Sequence, residues 1–250
     1  MLHVSMNFLA SYIVPVHNRQ HTLNRCIGSI FDQGMVGPKG AYELIVIDDA
    51  STDLTPEIIK SWQKKMPKTL NLLHFEDHLE RIYGFNAGIM AAQGDWVIML
   101  DSDDALDSSF REKFEEAVDK YPNAKMFNWG SYIHWKDGKI TERETYRPEI
   151  GEDGLYKPFK SGGIASGAFA FKKECLNKSG YMPLAKDPYE FGRKMKDLFP
   201  EVIPLYTLAD GRVHDDLGNP WGQDWAMFYM LSRHYLSQPL DYKLHHIYAR

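Results

Sequence analysis

The stretch WVIMLDSDDALD, residues 96–107, places four carboxyl groups, those of Asp101, Asp103, Asp104 and Asp107, directly behind a run of uncharged and mostly apolar residues. In an extended segment, residues two apart point the same way, so Asp101 and Asp103, with Ser102 between them, are set to present their oxygens together. Two unpaired carboxylates at that spacing repel each other, and a divalent cation removes the cost. All-oxygen ligation suits Mg2+ or Mn2+, with a diphosphate completing the shell. The plain alternative is a solvated turn after a strand. A second acidic pair, Asp48 and Asp49, ends ELIVI in the same way.

Both acidic pairs depend on strands to aim them. SYIVPV (11–16), YELIVIDD (42–49), LNLLHFE (70–76) and DWVIML (95–100) read as strands, separated by helical patterns. In the first helix Thr22 is a candidate cap ahead of Leu23, Ile27, Ile30 and Phe31, with Cys26 as plain core. The second has Thr55 as cap, Pro56 at the first helical position and Glu57 in the first turn. A small-residue helix, IYGFNAGIMAAQ, precedes the fourth strand, and SSFREKFEEAVDKYP follows the acidic turn with a capping box at Ser109 and Glu112. This alternation predicts an α/β fold with a mostly parallel sheet, in which ligands bind beyond the carboxyl ends of the strands.

After about residue 125 the rhythm breaks. A hairpin is expected around Asp137 and Gly138, glycine-rich short strands follow, and DWAMFYMLSRHY is apolar enough for a buried closing helix. Residues 1–125 and 126–250 read as two halves of one domain, the second smaller, mixed and decorating the first.

Composition narrows the partners. The 250 residues, 44% hydrophobic and 25% charged, suffice for a globular core. A net charge of −5 and a pI of about 6.1 argue against a general nucleic-acid-binding field and leave only a local patch open. Cys26 and Cys175 form no CxxC pair, which speaks against a zinc site or disulfide scaffold and for a reducing, cytoplasmic setting. No signal-peptide pattern opens the chain and no apolar run reaches membrane-spanning length.

SYIVPVHNR, ELIVIDDASTD, GFNAGIMAAQGDWVIMLDSDD and GQDWAMFYML stand in the order and spacing of family 2 of the glycosyltransferases, and the chain resembles these inverting enzymes of the GT-A (Rossmann-like) fold. The resemblance is strong over about 10–105 and looser over 160–250. It implies a metal-dependent enzyme that moves a sugar from a nucleotide-diphosphate sugar to an acceptor hydroxyl, with residues 1–125 as its nucleotide-sugar-binding half and 126–250 as its acceptor-side half. DSDD is similar to the family's DxD motif, which puts Asp101 near the donor ribose and the metal and makes Asp103 a metal ligand. Asp49 matches the carboxylate that contacts the base, and Pro15 and Val16 match the loop lining that base. Arg81 and Asn86 resemble residues that approach the nucleotide and its phosphates. GQDW is similar to the ED motif, with Asp224 as general base and Gln223 where Glu is usual. PLDYKLHH resembles a C-terminal stretch in which a His completes the metal shell, and alignment on Tyr242 favours His245 over His246.

Each assignment has a plain counterpart. Asp224 also suits the first turn of a helix as a dipole partner, and His245 suits core or surface. Gly162 and Gly163 fit a phosphate cradle or a hairpin loop, and the aromatic side chains Trp129, Tyr132, Trp135, Tyr156, Phe159 and Trp221 fit acceptor stacking or core. The acceptor class stays open among saccharides, lipid-linked sugars and modified nucleobases. No glycine fingerprint follows the first strand and no P-loop occurs, which disfavours a dinucleotide oxidoreductase and excludes a P-loop enzyme. RVHDD (212–216) lacks evident His partners for a metal phosphohydrolase. A nucleotidyltransferase and a non-catalytic sugar-nucleotide-binding relative are the rival readings.

Overall fold

The computed structural model describes residues 7–37, 40–79, 81–147, 149–152, 154, 167–184, 194 and 223–249, and the side chains of Val36 and of 223–226 are outside that description. Strand β1 (Phe8–Val16) and strand β3 (Gly40–Asp49) are buried almost throughout, as expected of parallel strands covered on both faces. They pair in parallel, β1 also pairs in parallel with β5 (Trp96–Met99), and β3 with β4 (Leu70–Phe75), giving a β4–β3–β1–β5 core. The short strand β2 (Val36–Gly37) lies antiparallel against the start of β3.

Helices α1 (Leu23–Phe31), α2 (Thr55–Lys65), α3 (Arg81–Ala91) and α4 (Phe110–Lys120) connect these strands and follow the acidic turn. Side chains alternate along a strand, so β1 offers Ile13 and Pro15 to one layer and Tyr12 to the other. Glycines let α3 lie close on the first face. A Cβ at Gly88 would come within 2.3 Å of Ile13 Cγ2, and one at Gly84 within 2.9 Å of Pro15 Cβ. On the opposite face Tyr12 meets Phe110 of α4 at 6.1 Å between ring centroids, and Phe114 meets Trp96 edge-on at 5.6 Å.

The sheet continues into the second half of the chain and becomes mixed. Strand β9 (Phe169–Lys172) is antiparallel both to β5 and to β7 (Met126–His134). The expected hairpin forms between β7 and β8 (Ile140–Arg143), with Gly138 at φ 83 in its turn. A short helix, α5 (Leu176–Ser179), follows β9; helix α6 (Gln223–Ser232) begins at GQDW and buries Met227 to Leu231. The last strand, β10 (Gln238–Tyr248), runs parallel to β7 and antiparallel to the two-residue β6 (Ala105–Leu106).

The three expected side-chain caps do not form. Thr22 donates its hydroxyl to the Ser102 carbonyl at 3.1 Å, and Thr55 Oγ1 accepts the Arg19 N–H at 2.8 Å. Ser109 turns to Asp107 Oδ1 at 2.6 Å, so no capping box closes with Glu112. In each case the hydroxyl is oriented by a partner outside the helix and accepts none of the helix's own N–H groups. Trp129 is core, 2% exposed, with its indole N–H on the Gly167 carbonyl at 2.7 Å, whereas Trp135 is exposed. Tyr156, Phe159, Gly162, Gly163, Trp221 and residues 212–216 lie outside the described residues.

Candidate functional site

A cavity of about 340 Å³ opens at the carboxyl ends of β1, β3 and β5. Pro15, Val16, Asp49, Arg81, Asp101, Ser102 and Asp103 all line it. Seven of the residues singled out in the sequence thus meet in one cleft, although the chain separates them by up to 88 positions.

The loops that build its walls are fastened to each other. After β1 the chain turns through Asn18 at φ 51, and after β3 through Ala50 at φ 56, both left-handed conformations that cost strain in a non-glycine residue. Asn18 offsets that cost with three contacts. Its N–H donates to Ser51 Oγ at 3.0 Å, and its side-chain oxygen accepts the Thr52 and Asp53 N–H groups at 2.8 and 3.3 Å. Gln20 N–H adds a bond to Asp53 Oδ2 at 3.1 Å.

Asp49 is 3% exposed, and its carboxyl group is fixed on both oxygens: Oδ1 accepts the Leu79 N–H at 2.7 Å, and Oδ2 lies 2.8 Å from His78 Nδ1. His17 donates from Nδ1 to the Asp49 carbonyl at 2.6 Å, and its ring meets the His78 ring at 4.1 Å between centroids. His17, His78 and Arg19 also line the cleft. None was singled out in the sequence; HNR stands inside a quoted motif, but no spacing rule marks His78 as its neighbour. Arg81 Nη2 reaches Asp101 Oδ1 at 2.5 Å, so the first helix position of α3 is tied to the first residue of the acidic turn.

Two expected site residues do not line the cleft, and the side chain of a third is outside the described residues. Asn86 is not on the cleft wall; it is 6% exposed, donates to the Met182 carbonyl at 2.7 Å, and its Oδ1 has no hydrogen-bond partner among the described residues. His245, fully buried in β10, lies 3.2 Å from Asp104 Oδ2. Asp224 occupies the first turn of α6, and its side chain lies outside the described residues. Among the described residues, no group of three or more His, Cys, Asp or Glu side chains is arranged to hold a metal ion by itself. Also among them, no helix is long and apolar enough to cross a membrane.

The architecture is the GT-A one. The chain superposes over 96% of its length on S. aureus TarS (residues 1–349) in complex with UDP-GlcNAc, with a TM-score of 0.61 at 17% identity, covering 58% of that chain. A Pyrobaculum calidifontis mannosyltransferase, PcManGT, in complex with GDP-Man and Mn2+, matches 78% of this chain and 52% of its own at a TM-score of 0.52 and 20% identity. The pattern of Glycosyl transferase family 2 matches residues 11–180, and the chain belongs to that family. Among relatives, a Methanococcus voltae dolichyl N-acetyl-alpha-D-glucosaminyl phosphate 3-beta-D-2,3-diacetamido-2,3-dideoxy-beta-D-glucuronosyltransferase is 35% identical over 95 residues, 38% of this chain and 29% of its own length. An uncharacterized Haemophilus influenzae glycosyltransferase is 26% identical over 219 residues, 80% of this chain and 65% of its own. The chain thus spans less than two thirds of each of these two relatives.

Proposed function

We propose that the chain binds a nucleotide-diphosphate sugar in this cleft and transfers the sugar to an acceptor hydroxyl with inversion at the anomeric carbon. The observation that carries the reading is the convergence of Pro15, Val16, Asp49, Arg81 and the Asp101–Asp103 turn on one cavity. Asp49, held by Leu79 and His78 on the cleft wall, would read a donor on the base. The fixed His17 and His78 rings would flank that base. Arg81 exchanges part of its bond to Asp101 for the diphosphate.

Asp101 and Asp103 offer only oxygen ligands, and a cation that they would hold together with the diphosphate fits Mg2+ or Mn2+. When bound, the cation supplies Lewis-acid stabilisation of the leaving diphosphate. Asp224 is assigned as the base that takes the acceptor's proton, on the resemblance of GQDW to the ED motif and its place at the start of α6. The dolichyl name of the Methanococcus voltae relative favours a lipid-linked acceptor. The two free, buried cysteines suit a reducing compartment such as the cytoplasm.

Calorimetric titration with uridine and guanosine diphosphates, in Mn2+ and in chelator, tests the donor claim. Tight binding in Mn2+ that Asp103→Ala abolishes supports it, and equal binding in chelator removes the metal. Asp224→Asn should retain donor affinity while turnover drops by about 10²–10⁴, the usual worth of a positioned base.

A further inference from the structure

A second hollow, of about 370 Å³, lies between the start of α1 and the end of β10. Arg19 and Asp103 belong to the walls of both cavities, so the two adjoin across these side chains. Their charges differ. The donor cleft gathers Asp49, Asp101 and Asp103 against Arg19 and Arg81, so a diphosphate there calls for a cation to offset the carboxylates. The second hollow sets Arg19, Arg25 and His21 around a single acidic side chain, that of Asp103. Among the described residues its wall is net positive without any metal.

The two guanidinium groups are positioned but not neutralised. Arg25 lies 3.5 Å over the Tyr248 ring and donates from Nη2 to the Asp103 carbonyl at 2.5 Å. Arg19 donates from Nη1 to the His17 and Asn18 carbonyls, both at 3.3 Å. Neither pairs with a carboxylate among the described residues, whereas Arg81 pairs with Asp101 and Arg111 with Glu115. A guanidinium carries five N–H donors in a rigid fork, so both side chains keep donors for a ligand, and a phosphate is the group that matches such a fork. The Thr22 hydroxyl on the Ser102 carbonyl at 3.1 Å and the Cys26 thiol on the Asp101 carbonyl at 3.5 Å fasten the start of α1 to the acidic turn, which fixes the hollow beside the donor cleft.

We propose that this hollow is an anion-binding subsite in which Arg25 and Arg19 hold a phosphate group carried by the acceptor. The phosphate is a handle, and the reacting hydroxyl of the same acceptor lies on the donor side of Asp103. The role of the occupant rests on the donor reading given above; the anion site itself does not. A lipid carrier and a soluble sugar phosphate offer the same group, and the test separates them.

The test fills the donor cleft first. With the protein saturated in Mn2+ and whichever of uridine or guanosine diphosphate it binds, geranyl phosphate and glucose 1-phosphate are titrated beside geraniol and glucose. At least one phosphate should bind without displacing the nucleotide while its alcohol does not, and the tighter of the two phosphates names the carrier. Arg25 is exposed, so its replacement leaves the core intact. Arg25→Met should weaken phosphate binding by about 10-fold or more, the usual effect of losing a charged hydrogen-bond partner, with nucleoside diphosphate affinity within about threefold of wild type. Arg25→Lys, which keeps the charge without the fork, should fall between the two. In chelator and without nucleotide, inorganic phosphate should still bind and should shift the amide resonances of residues 18–25 and 248–249. The proposal is overturned if phosphates and alcohols bind alike, if the phosphates displace the nucleotide, if inorganic phosphate binds only with Mn2+, or if Arg25→Met leaves phosphate binding unchanged. It is overturned equally if Arg25→Met weakens nucleotide and phosphate to the same extent, which makes Arg25 a brace for the acidic turn. Failure of the donor reading shows separately, as a wild-type protein that binds no nucleoside diphosphate, and inorganic phosphate titrated into wild type and Arg25→Met then decides the anion site alone.

Discussion

Glu43 and Asp49 stand near opposite ends of one strand, β3, and the fold surrounds their carboxyl groups in opposite ways. Glu43 is fully buried and accepts from the Ser11 hydroxyl at 2.6 Å, the Gln93 and Gly94 N–H groups at 2.5 and 3.2 Å, and the Asn71 amide at 3.2 Å. Those donors come from β1, β4 and the turn into β5, so one side chain ties three segments together at the amino end of the sheet. Asp49 is buried too, but it lines a cavity, and among its partners is His78, a ring 45% exposed. A buried carboxyl group enclosed by rigid donors holds the fold; one that borders an open cleft on exposed partners is available to a ligand. Asp101 and Asp103 belong with Asp49, and Asp104, enclosed by β10, belongs with Glu43.

The strongest way to break this contrast is Glu43→Ala. Its buried donors would lose their acceptor at about 1–3 kcal/mol each, so denaturant unfolding should report a loss of at least about 3 kcal/mol. A loss under about 1 kcal/mol would remove Glu43 from its structural role. Asp103→Asn should behave in the opposite way, with stability within about 1 kcal/mol of wild type and donor binding or turnover lost, as expected where function and stability trade against each other. If it unfolds the protein as Glu43→Ala does, the two ends of the sheet do not differ.

A smaller effect separates two positions on one helix. Gly88→Ala drives a methyl group into Ile13 and Ile47 and should cost about 1–3 kcal/mol. Gly84→Ala presses on Pro15 at the cleft, where the contact is less severe, and should lower donor affinity more than stability. Equal losses of stability with unchanged affinity would argue that Pro15 does not touch the donor.

The smallest effect concerns Cys26, packed behind the acidic turn with its thiol on the Asp101 carbonyl at 3.5 Å. Burial, followed by the carboxyl groups of Asp104, Asp101 and Asp103, pushes the thiol well above its ordinary range. A raised folded value means that its contribution to stability is complete below the ordinary thiol range and is lost as pH rises above it. Native alkylation at mildly alkaline pH should therefore leave Cys26 unmodified, and denaturant should expose it. Rapid native labelling would contradict the packing of the turn.

Much of this was legible in the chain. Alternating strands and helices over the first 105 residues, the hairpin at Gly138 and the start of α6 at GQDW all follow from local periodicity and turn chemistry, and the structure agrees. The meeting of Asp49 and Asp103 follows from one topological rule, that parallel strands gather their carboxyl ends, whereas Pro15 and Arg81 were legible only through the family resemblance. What local pattern could not carry were choices made between distant partners. Thr22, Thr55 and Ser109 look like caps, yet each hydroxyl goes to another loop or turn. Glu43 looks like an ordinary polar residue at a strand start, and only the arrival of Asn71, Gln93 and Gly94 makes it a hub. The place of β9 between β5 and β7, antiparallel to both, comes from pairings across more than 40 positions that no window of sequence contains.

The most direct test of the central claim is a crystal structure of the protein soaked with Mn2+ and a uridine- or guanosine-diphosphate sugar. The account predicts the base beside Pro15, Val16 and Asp49, and the diphosphate between Arg81 and Asp103 with Mn2+ on its oxygens. A nucleotide bound outside this cleft, or one seated there with Asp49, Arg81 and Asp103 all out of reach, would contradict it.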